Sequence, residues 1–153
     1  RWPHMAVALR GGLAVADAGN NRVMIWDEFP ENNGAAPNSI LGQADVNACD
    51  HNMASYYPTS QAMNMPYALA THETRLIVAD TANSRILGFE DLSMTAHADR
   101  LTAQPDFAAK GDNRWGIAER DTVCWPYGLS ALDSTVAVAD SGNNRILIWE
   151  VAD

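Results

Sequence analysis

The most reactive side chains of this sequence lie in one stretch, from Asp45 through Cys49, Asp50 and His51. A thiolate, an imidazole and carboxylates can bind a transition metal, and Cys49 with a neighbouring base could act as a nucleophile. The order Cys-Asp-His is not a recognised zinc-ligand spacing, and the later long loop contains no second half of such a site. We therefore interpret the stretch as loop residues and predict no cofactor. A metal site at Asp45, Cys49 and His51 is the alternative.

Pairs of Asp and Arg recur three times, always five residues apart. They are Asp17 and Arg22, Asp80 and Arg85, and Asp140 and Arg145. Such pairs could be catalytic carboxylates with electrophilic partners. However, a residue that recurs at the same place in every repeat serves the repeat itself. An Asp before a turn can accept hydrogen bonds from the turn, while the Arg makes a charge-assisted bond nearby. We predict structural pairs and assign no catalytic residue.

Two long loops, residues 47–64 and 108–124, carry aromatic and basic side chains that could bind a partner. The candidate binding residues are His51, Tyr56 and Tyr57 in the first loop and Arg114 and Trp115 in the second. Cations and aromatic rings can stack on bases or sugars. Acidic residues are interleaved here, and the net charge of −9 repels nucleic acid. We predict contact with another protein and expect no nucleic-acid partner. The alternative for Trp115 is a hydrophobic plug beneath its own loop.

The elements that position these residues repeat three times, beginning at Trp2-Pro3, Met65-Pro66 and Trp125-Pro126, at offsets of 63 and 60 residues. Each copy has a short apolar run, a second run that ends in Ala-Asp, a turn, and a third run that follows an Arg. The first two copies add a fourth run, at 40–43 and 101–104. Gly and Asn tolerate positive φ, so each turn predicts a tight hairpin, with positive φ expected at Gly142.

Four short strands in a repeat is the number found in a propeller blade, and nearly continuous apolar runs predict sheets buried on both faces. The third copy reads Pro-Tyr-Gly-Leu at 126–129 and Val-Ala-Asp-Ser-Gly-Asn-Asn-Arg-Ile-Leu-Ile-Trp at 138–149, which resembles the NHL repeat. The resemblance covers residues 2–43, 65–104 and 125–151, and the second copy departs from it at Ala82 and Ser84. It implies an all-β fold, a β-propeller that commonly has six blades.

On this basis blade 1 covers about 2–46, blade 2 about 65–107 and blade 3 about 125–151, which lacks its outer strand. The loops 47–64 and 108–124 are insertions between blades, where binding usually resides on a rigid scaffold. Three blades do not complete a ring. We expect the other blades to come from a longer polypeptide or from a second copy of the chain.

The resemblance implies two classes of function. NHL members include protein-binding sensor domains, accessory proteins and RNA-binding modules, and the family resembles the propeller of peptide-amidating lyases, in which histidines hold a central metal. Here only His4 lies near a predicted inner strand, and its counterparts are Tyr67 and Tyr127. We predict a non-catalytic protein-binding or accessory scaffold. The alternative is a propeller enzyme, a lyase or hydrolase, with a metal or ligand in the central channel and the rest of its site in other blades.

Composition sets the remaining bounds. Hydrophobic residues make up 47% of the 153, enough for a packed core, and the apolar stretches are far too short for a membrane span. No membrane partner is expected. Cys49 and Cys124 are compatible with one disulfide or with two free thiols. No stretch has the pattern of a signal peptide, and the compartment is not predicted.

Overall fold

The computed structural model describes residues 2–94 and 96–151, and in these ranges the chain is all-β, as predicted, with three antiparallel sheets. Sheet 1 contains, in order across the sheet, β1 (Pro3–Leu9), β2 (Gly12–Asp17), β3 (Arg22–Trp26) and β4 (Ser39–Leu41). Sheet 2 contains β5 (Pro66–His72), β6 (Arg75–Asp80), β7 (Arg85–Phe89) and β8 (Arg100–Thr102). Sheet 3 contains β9 (Pro126–Leu132), β10 (Thr135–Asp140) and β11 (Arg145–Glu150).

Helical structure in the described residues is limited to 3-10 turns of three or four residues. Three of these connect the second and third strands of the sheets, at Ala18–Asn20, Thr81–Asn83 and Ser141–Asn143. No helix in the described part of the chain has the length and apolar character needed to cross a membrane.

The hairpin turns take their positive φ from the residue before the Arg and not from the glycine. Asn21, Ser84 and Asn144 have φ of 55°, 51° and 54°. The expectation of positive φ at Gly142 was wrong. A Cβ on Gly142 would overlap the Sγ of Cys124 and lie 2.7 Å from the Cys124 carbonyl oxygen, so this glycine permits a close approach of two segments.

Two apolar clusters join the sheets, one between sheets 1 and 2 and the other between sheets 2 and 3. The first strands β1, β5 and β9 lie next to one another. Strand β7 is buried at all five positions, whereas β11 alternates between half-buried and exposed residues. Burial on both faces was therefore predicted correctly for sheet 2 only. Sheets 1 and 3 each leave one face uncovered, and the array of sheets is not closed.

Candidate functional site

The Asp–Arg pairs lie at the ends of the second strands, where each hairpin turn begins. Arg85 Nε donates to Asp80 Oδ2 over 2.7 Å, and both side chains are fully buried. The same bond joins Arg22 to Asp17 (2.8 Å) and Arg145 to Asp140 (2.6 Å). Burial acts to raise the pKa of Asp17, but hydrogen bonds from Asn20 and Arg22, together with the charge of Arg22, outweigh it and lower this pKa below its usual value.

The repeated arginine also holds the loops on the sheets. Arg85 Nη1 donates to the Phe107 carbonyl (2.7 Å), and Nη2 donates to the carbonyls of Thr59 (3.0 Å) and Ala62 (2.9 Å). Arg145 binds the carbonyls of Glu119 and Thr122 in the same way. Each of the three guanidinium nitrogens of the buried Arg85 is thus hydrogen-bonded to protein groups, and the buried carboxylate beneath it is not placed to meet a substrate.

The two insertions share an architecture that the sequence analysis did not detect. Each contains a left-handed turn, at Asn52–Ala54 and at Asn113–Trp115, with φ between 50° and 63° at every residue. A buried glutamine stands before each turn: Gln43 Nε2 donates to the Asp50 carbonyl (2.8 Å), and Gln104 Nε2 donates to the Gly111 carbonyl (2.9 Å). The signal was present in the sequence, because Gln104 follows Gln43, and Asn113 follows Asn52, at one common spacing of 61 residues.

An aromatic groove forms where the two insertions meet. Tyr56 and Tyr57 come from the first insertion and stack edge to face, with ring centroids 4.9 Å apart. The ammonium of Lys110, from the second insertion, lies 3.6 Å from the Tyr56 ring centroid, which is cation–π distance. Trp115, also from the second insertion, lines the same groove. The groove has a volume of about 300 Å³ and is lined by Tyr56, Tyr57, Gln104, Pro105, Ala108, Ala109, Lys110, Arg114 and Trp115.

The Trp115 indole is held outward by its backbone. Asn113, Arg114 and Trp115 are consecutive left-handed residues, a conformation that costs about 1–2 kcal/mol at each non-glycine position. The indole packs over Gly111, where a Cβ would overlap the ring. Its exposed fraction is 74%, so Trp115 is not a plug beneath its loop.

Arg114 keeps this turn in place and contributes little free charge to the groove. Its Nε donates to the Ala103 carbonyl (3.2 Å), and its Nη2 donates to the Asp121 carbonyl and pairs with the Asp121 carboxylate, both at 3.0 Å. Lys110 makes no ion pair within the described part of the chain. Of the two cations that line the groove, Lys110 is therefore the one whose charge is available to a binding partner.

The candidate metal residues are not brought together. Asp45 Oδ1 accepts hydrogen bonds from the N–H groups of Asn47 and Ala48, and both Cys49 and His51 are exposed. Within residues 2–94 and 96–151, no three His, Cys, Asp or Glu side chains are grouped closely enough to hold a metal ion. His51 comes directly before the first left-handed turn and does not line the groove.

Both cysteines are free thiols. Burial raises the pKa of Cys124 to about 11, and the neighbouring carboxylates of Asp112 and Asp140 add to this effect. Cys124 is therefore a poor nucleophile near neutral pH.

A row of aromatic rings crosses the first strands of the three sheets. The rings of His4 and Tyr67 meet edge to face with centroids 3.9 Å apart, and Tyr67 lies 5.0 Å from Tyr127. Burial raises the pKa of Tyr67, and its neighbour Tyr127 adds to the shift. These contacts place His4 in an aromatic packing role, equivalent to that of the tyrosines.

Comparison of the chain with models of protein families and with curated protein sequences finds no match.

Proposed function

We propose that the three sheets are NHL-type blades of a β-propeller. The repeated Val-Ala-Asp-x-Gly-Asn-Asn-Arg block supports this, since its Asp and Arg pair at each hairpin turn and the Arg also binds main-chain carbonyls of a neighbouring loop. The strand order also supports it. Each sheet runs in order from its first strand outward, and the three first strands are neighbours, as inner strands around a propeller axis are.

On this scaffold the chain acts as a non-catalytic protein-binding or accessory module, and the aromatic groove is its binding surface. The observation that carries this proposal is the convergence of Tyr56, Tyr57 and Trp115, which come from two loops and are exposed by 64%, 62% and 74%. Exposed tyrosine and tryptophan are the residues that most often dominate the energy of a protein interface. Loops held on a rigid scaffold are the usual place for such a surface.

Charge favours a protein partner over nucleic acid. The chain carries a net charge of −9, and the Arg114 guanidinium is already paired with Asp121. Lys110 alone supplies one unpaired positive charge at the groove, whereas affinity for nucleic acid depends on many cations facing phosphates.

A ligand site among the inner strands, within a propeller enzyme, is the second candidate. The row His4, Tyr67 and Tyr127 favours it, because half-exposed aromatic rings at inner strands could line a channel. The two candidates differ in the residues that they require, since this row shares no member with the groove.

Peptide selection tests the proposal. A library of displayed random peptides is selected on the immobilised chain, and the recovered peptides are then tested on Trp115→Ala and Tyr57→Ala. We expect each variant to weaken binding by at least about tenfold, because a tenfold change corresponds to about 1.4 kcal/mol and such anchors contribute about 2 kcal/mol or more. The matched control is Phe29→Ala, since Phe29 is 62% exposed in the loop between β3 and β4.

Recovered peptides that bind Trp115→Ala as tightly as the unaltered chain would reject the groove as the binding surface. Peptides that lose affinity with Tyr67→Ala or Tyr127→Ala instead would favour the second candidate.

A further inference from the structure

Each sheet has two different faces, and sheet 2 shows how both are used. Its front face packs against sheet 3, and its back face packs against sheet 1. The front face consists of Ala68, Ala70, Ile77, Ala79 and Ile86. The back face consists of the larger residues Leu69, Leu76, Val78, Leu87 and Phe89. Where two sheets pack, the smaller residues of one sheet's front face therefore contact the larger residues of the next sheet's back face.

The same packing occurs twice within the chain. The front face of sheet 1, which includes Ala14, Ala16 and Val23, covers the back face of sheet 2. The front face of sheet 2 covers the back face of sheet 3, which includes Leu129, Val136 and Val138. Both interfaces are heterologous, a front face on a back face, and they use corresponding positions of the repeat.

The front face of sheet 3 is uncovered. Ile146, Ile148 and Leu132 are exposed by 63%, 64% and 76%. The counterparts of Ile146 in the covered front faces are buried: Val23 and Ile86 have exposed fractions of 0% and 6%. Three large aliphatic side chains on one face make an apolar patch of the kind that marks an interaction site.

The back face of sheet 1 is the complementary uncovered surface. Val15, Met24 and Trp26 are only partly buried there. Their counterparts in sheet 2 are Val78, Leu87 and Phe89, which have no exposed surface. The chain thus presents an open front face at sheet 3 and an open back face at sheet 1, the two halves of an interface that it already contains twice.

We propose that a second copy of this chain binds head to tail, with the front face of sheet 3 of one copy on the back face of sheet 1 of the other. The occupant follows from continuity with the internal interfaces, because both front faces that are covered within the described residues lie against the back face of such a sheet. Two copies that dock in this way at both ends form two equal interfaces and leave neither face open. The proposal does not depend on the function of the groove.

The charges at the rim differ between the internal interface of sheets 1 and 2 and the proposed interface between copies. Between sheets 1 and 2, Arg10, which has φ of 52° in the turn after β1, pairs with Glu90 over 3.1 Å. Asp133, with φ of 50° in the turn after β9, corresponds to Arg10, and Asp27 after β3 corresponds to Glu90. The proposed contact therefore sets Asp133 against Asp27. Asp133→Arg replaces this repulsion with the Arg10–Glu90 arrangement and should strengthen association.

Sedimentation and native mass spectrometry of the 153-residue chain test the proposal. We expect a dimer of twice 16.6 kDa. Ile148→Glu and Met24→Glu should each yield monomers that retain the circular dichroism and melting temperature of a folded chain, because both residues lie on open faces. Ile117→Glu is the matched control, since Ile117 is 79% exposed in the second insertion, and it should remain dimeric.

Mixing the two monomeric variants gives the sharpest result. The Ile148→Glu copy keeps an intact back face, and the Met24→Glu copy keeps an intact front face, so the mixture should form a one-to-one pair through one interface. Asp133→Arg should lower the dissociation constant by roughly fivefold. Larger species that both face variants abolish would also support head-to-tail docking. A monomeric unaltered chain, a dimer that persists in Ile148→Glu, or a mixture that stays monomeric would overturn it.

Discussion

Asn52 and Asn83 bind each other through both of their side-chain amides, in a site where both residues are buried. Asn52 Nδ2 donates to Asn83 Oδ1 (3.1 Å), and Asn83 Nδ2 donates to Asn52 Oδ1 (2.8 Å). Asn83 also donates to Asp80 Oδ2 (2.8 Å), so the pair joins the left-handed turn of the first insertion to the Asp–Arg bond of sheet 2. Asn113 and Asn143 repeat this pair with bonds of 3.0 and 2.8 Å.

The Asn52–Asn83 pair should be energetically coupled. Asn52→Ala or Asn83→Ala leaves the other amide buried without a partner, and we expect either to lower the free energy of unfolding by about 1–3 kcal/mol. The double variant should lose about 1 kcal/mol less than the sum of the single losses. Urea unfolding measures all four proteins. Additive losses would show that the reciprocal bonds do not stabilise the fold.

Of the three repeated arginines, the fully buried Arg85 should be the one whose replacement lowers the free energy of unfolding most. Arg85→Met leaves the Asp80 carboxylate buried and unpaired, so we expect a loss of about 3–5 kcal/mol in the free energy of unfolding. Arg145→Met should cost less, because the Arg145 side chain is 27% exposed and water can reach its site. Chemical unfolding of the two variants checks the order, and equal losses would contradict the dependence on burial.

Gly142 should tolerate no side chain, for a steric reason. The added methyl of Gly142→Ala would overlap Cys124, and we expect a loss of about 1–3 kcal/mol. In the double variant Gly142→Ala with Cys124→Ala, removal of the sulfur should restore part of this loss. The equivalent residue of sheet 2 is Ala82, where a methyl is already accommodated, so Ala82→Gly serves as the matched control. Thermal unfolding reports all of these, and an unchanged melting temperature in Gly142→Ala would contradict the close approach.

The two thiols should react with alkylating agents at very different rates. The exposed Cys49 should be modified first at pH 8, whereas Cys124, with a pKa raised to about 11, stays protonated. Mass spectrometry of iodoacetamide-treated protein, with Cys49→Ser and Cys124→Ser as controls, follows each site. Equal rates at pH 8 would contradict the environment described for Cys124.

The same thiol should make stability depend on pH in alkaline solution. The folded chain holds the Cys124 proton more tightly than the unfolded chain, whose cysteine has a pKa of about 8.5. Above that pH the native state therefore binds more protons, and the free energy of unfolding falls as the pH rises toward 11. Cys124→Ala should lose less stability than the unaltered chain between pH 8 and 10.5. Identical slopes would exclude this contribution.

The sequence predicted local structure, but it did not predict the contacts between segments that are distant along the chain. The repeat predicted the strands and the hairpin turns, because apolar runs and Asn-rich turns act within a few residues. It could not predict that the carbonyls of Thr59 and Phe107 both bind Arg85, since the pairing of main-chain acceptors leaves no trace in residue type. It also missed why Gly142 is a glycine, because Cys124 approaches from another segment.

The groove was also beyond sequence-based prediction as a single surface, although one pattern in the two insertions was overlooked. Tyr57 and Trp115 were separate candidates in two loops, and only the fold brings them to one surface. The common spacing of Gln43 to Gln104 and of Asn52 to Asn113 did indicate that the insertions belong to the repeat. Extending the alignment beyond the apolar runs would have revealed it, because polar residues that anchor loops recur as regularly as core residues do.

The central claim is that the two insertions form one protein-binding surface, and a double-mutant cycle on a peptide selected against the chain tests it most directly. Dissociation constants are measured for the unaltered chain, Tyr57→Ala, Trp115→Ala and the double variant. We predict a loss of about tenfold or more in each single variant, and a double loss smaller than their product, because both rings contact one ligand. Undiminished affinity in either single variant, or fully independent losses, would contradict a single shared surface.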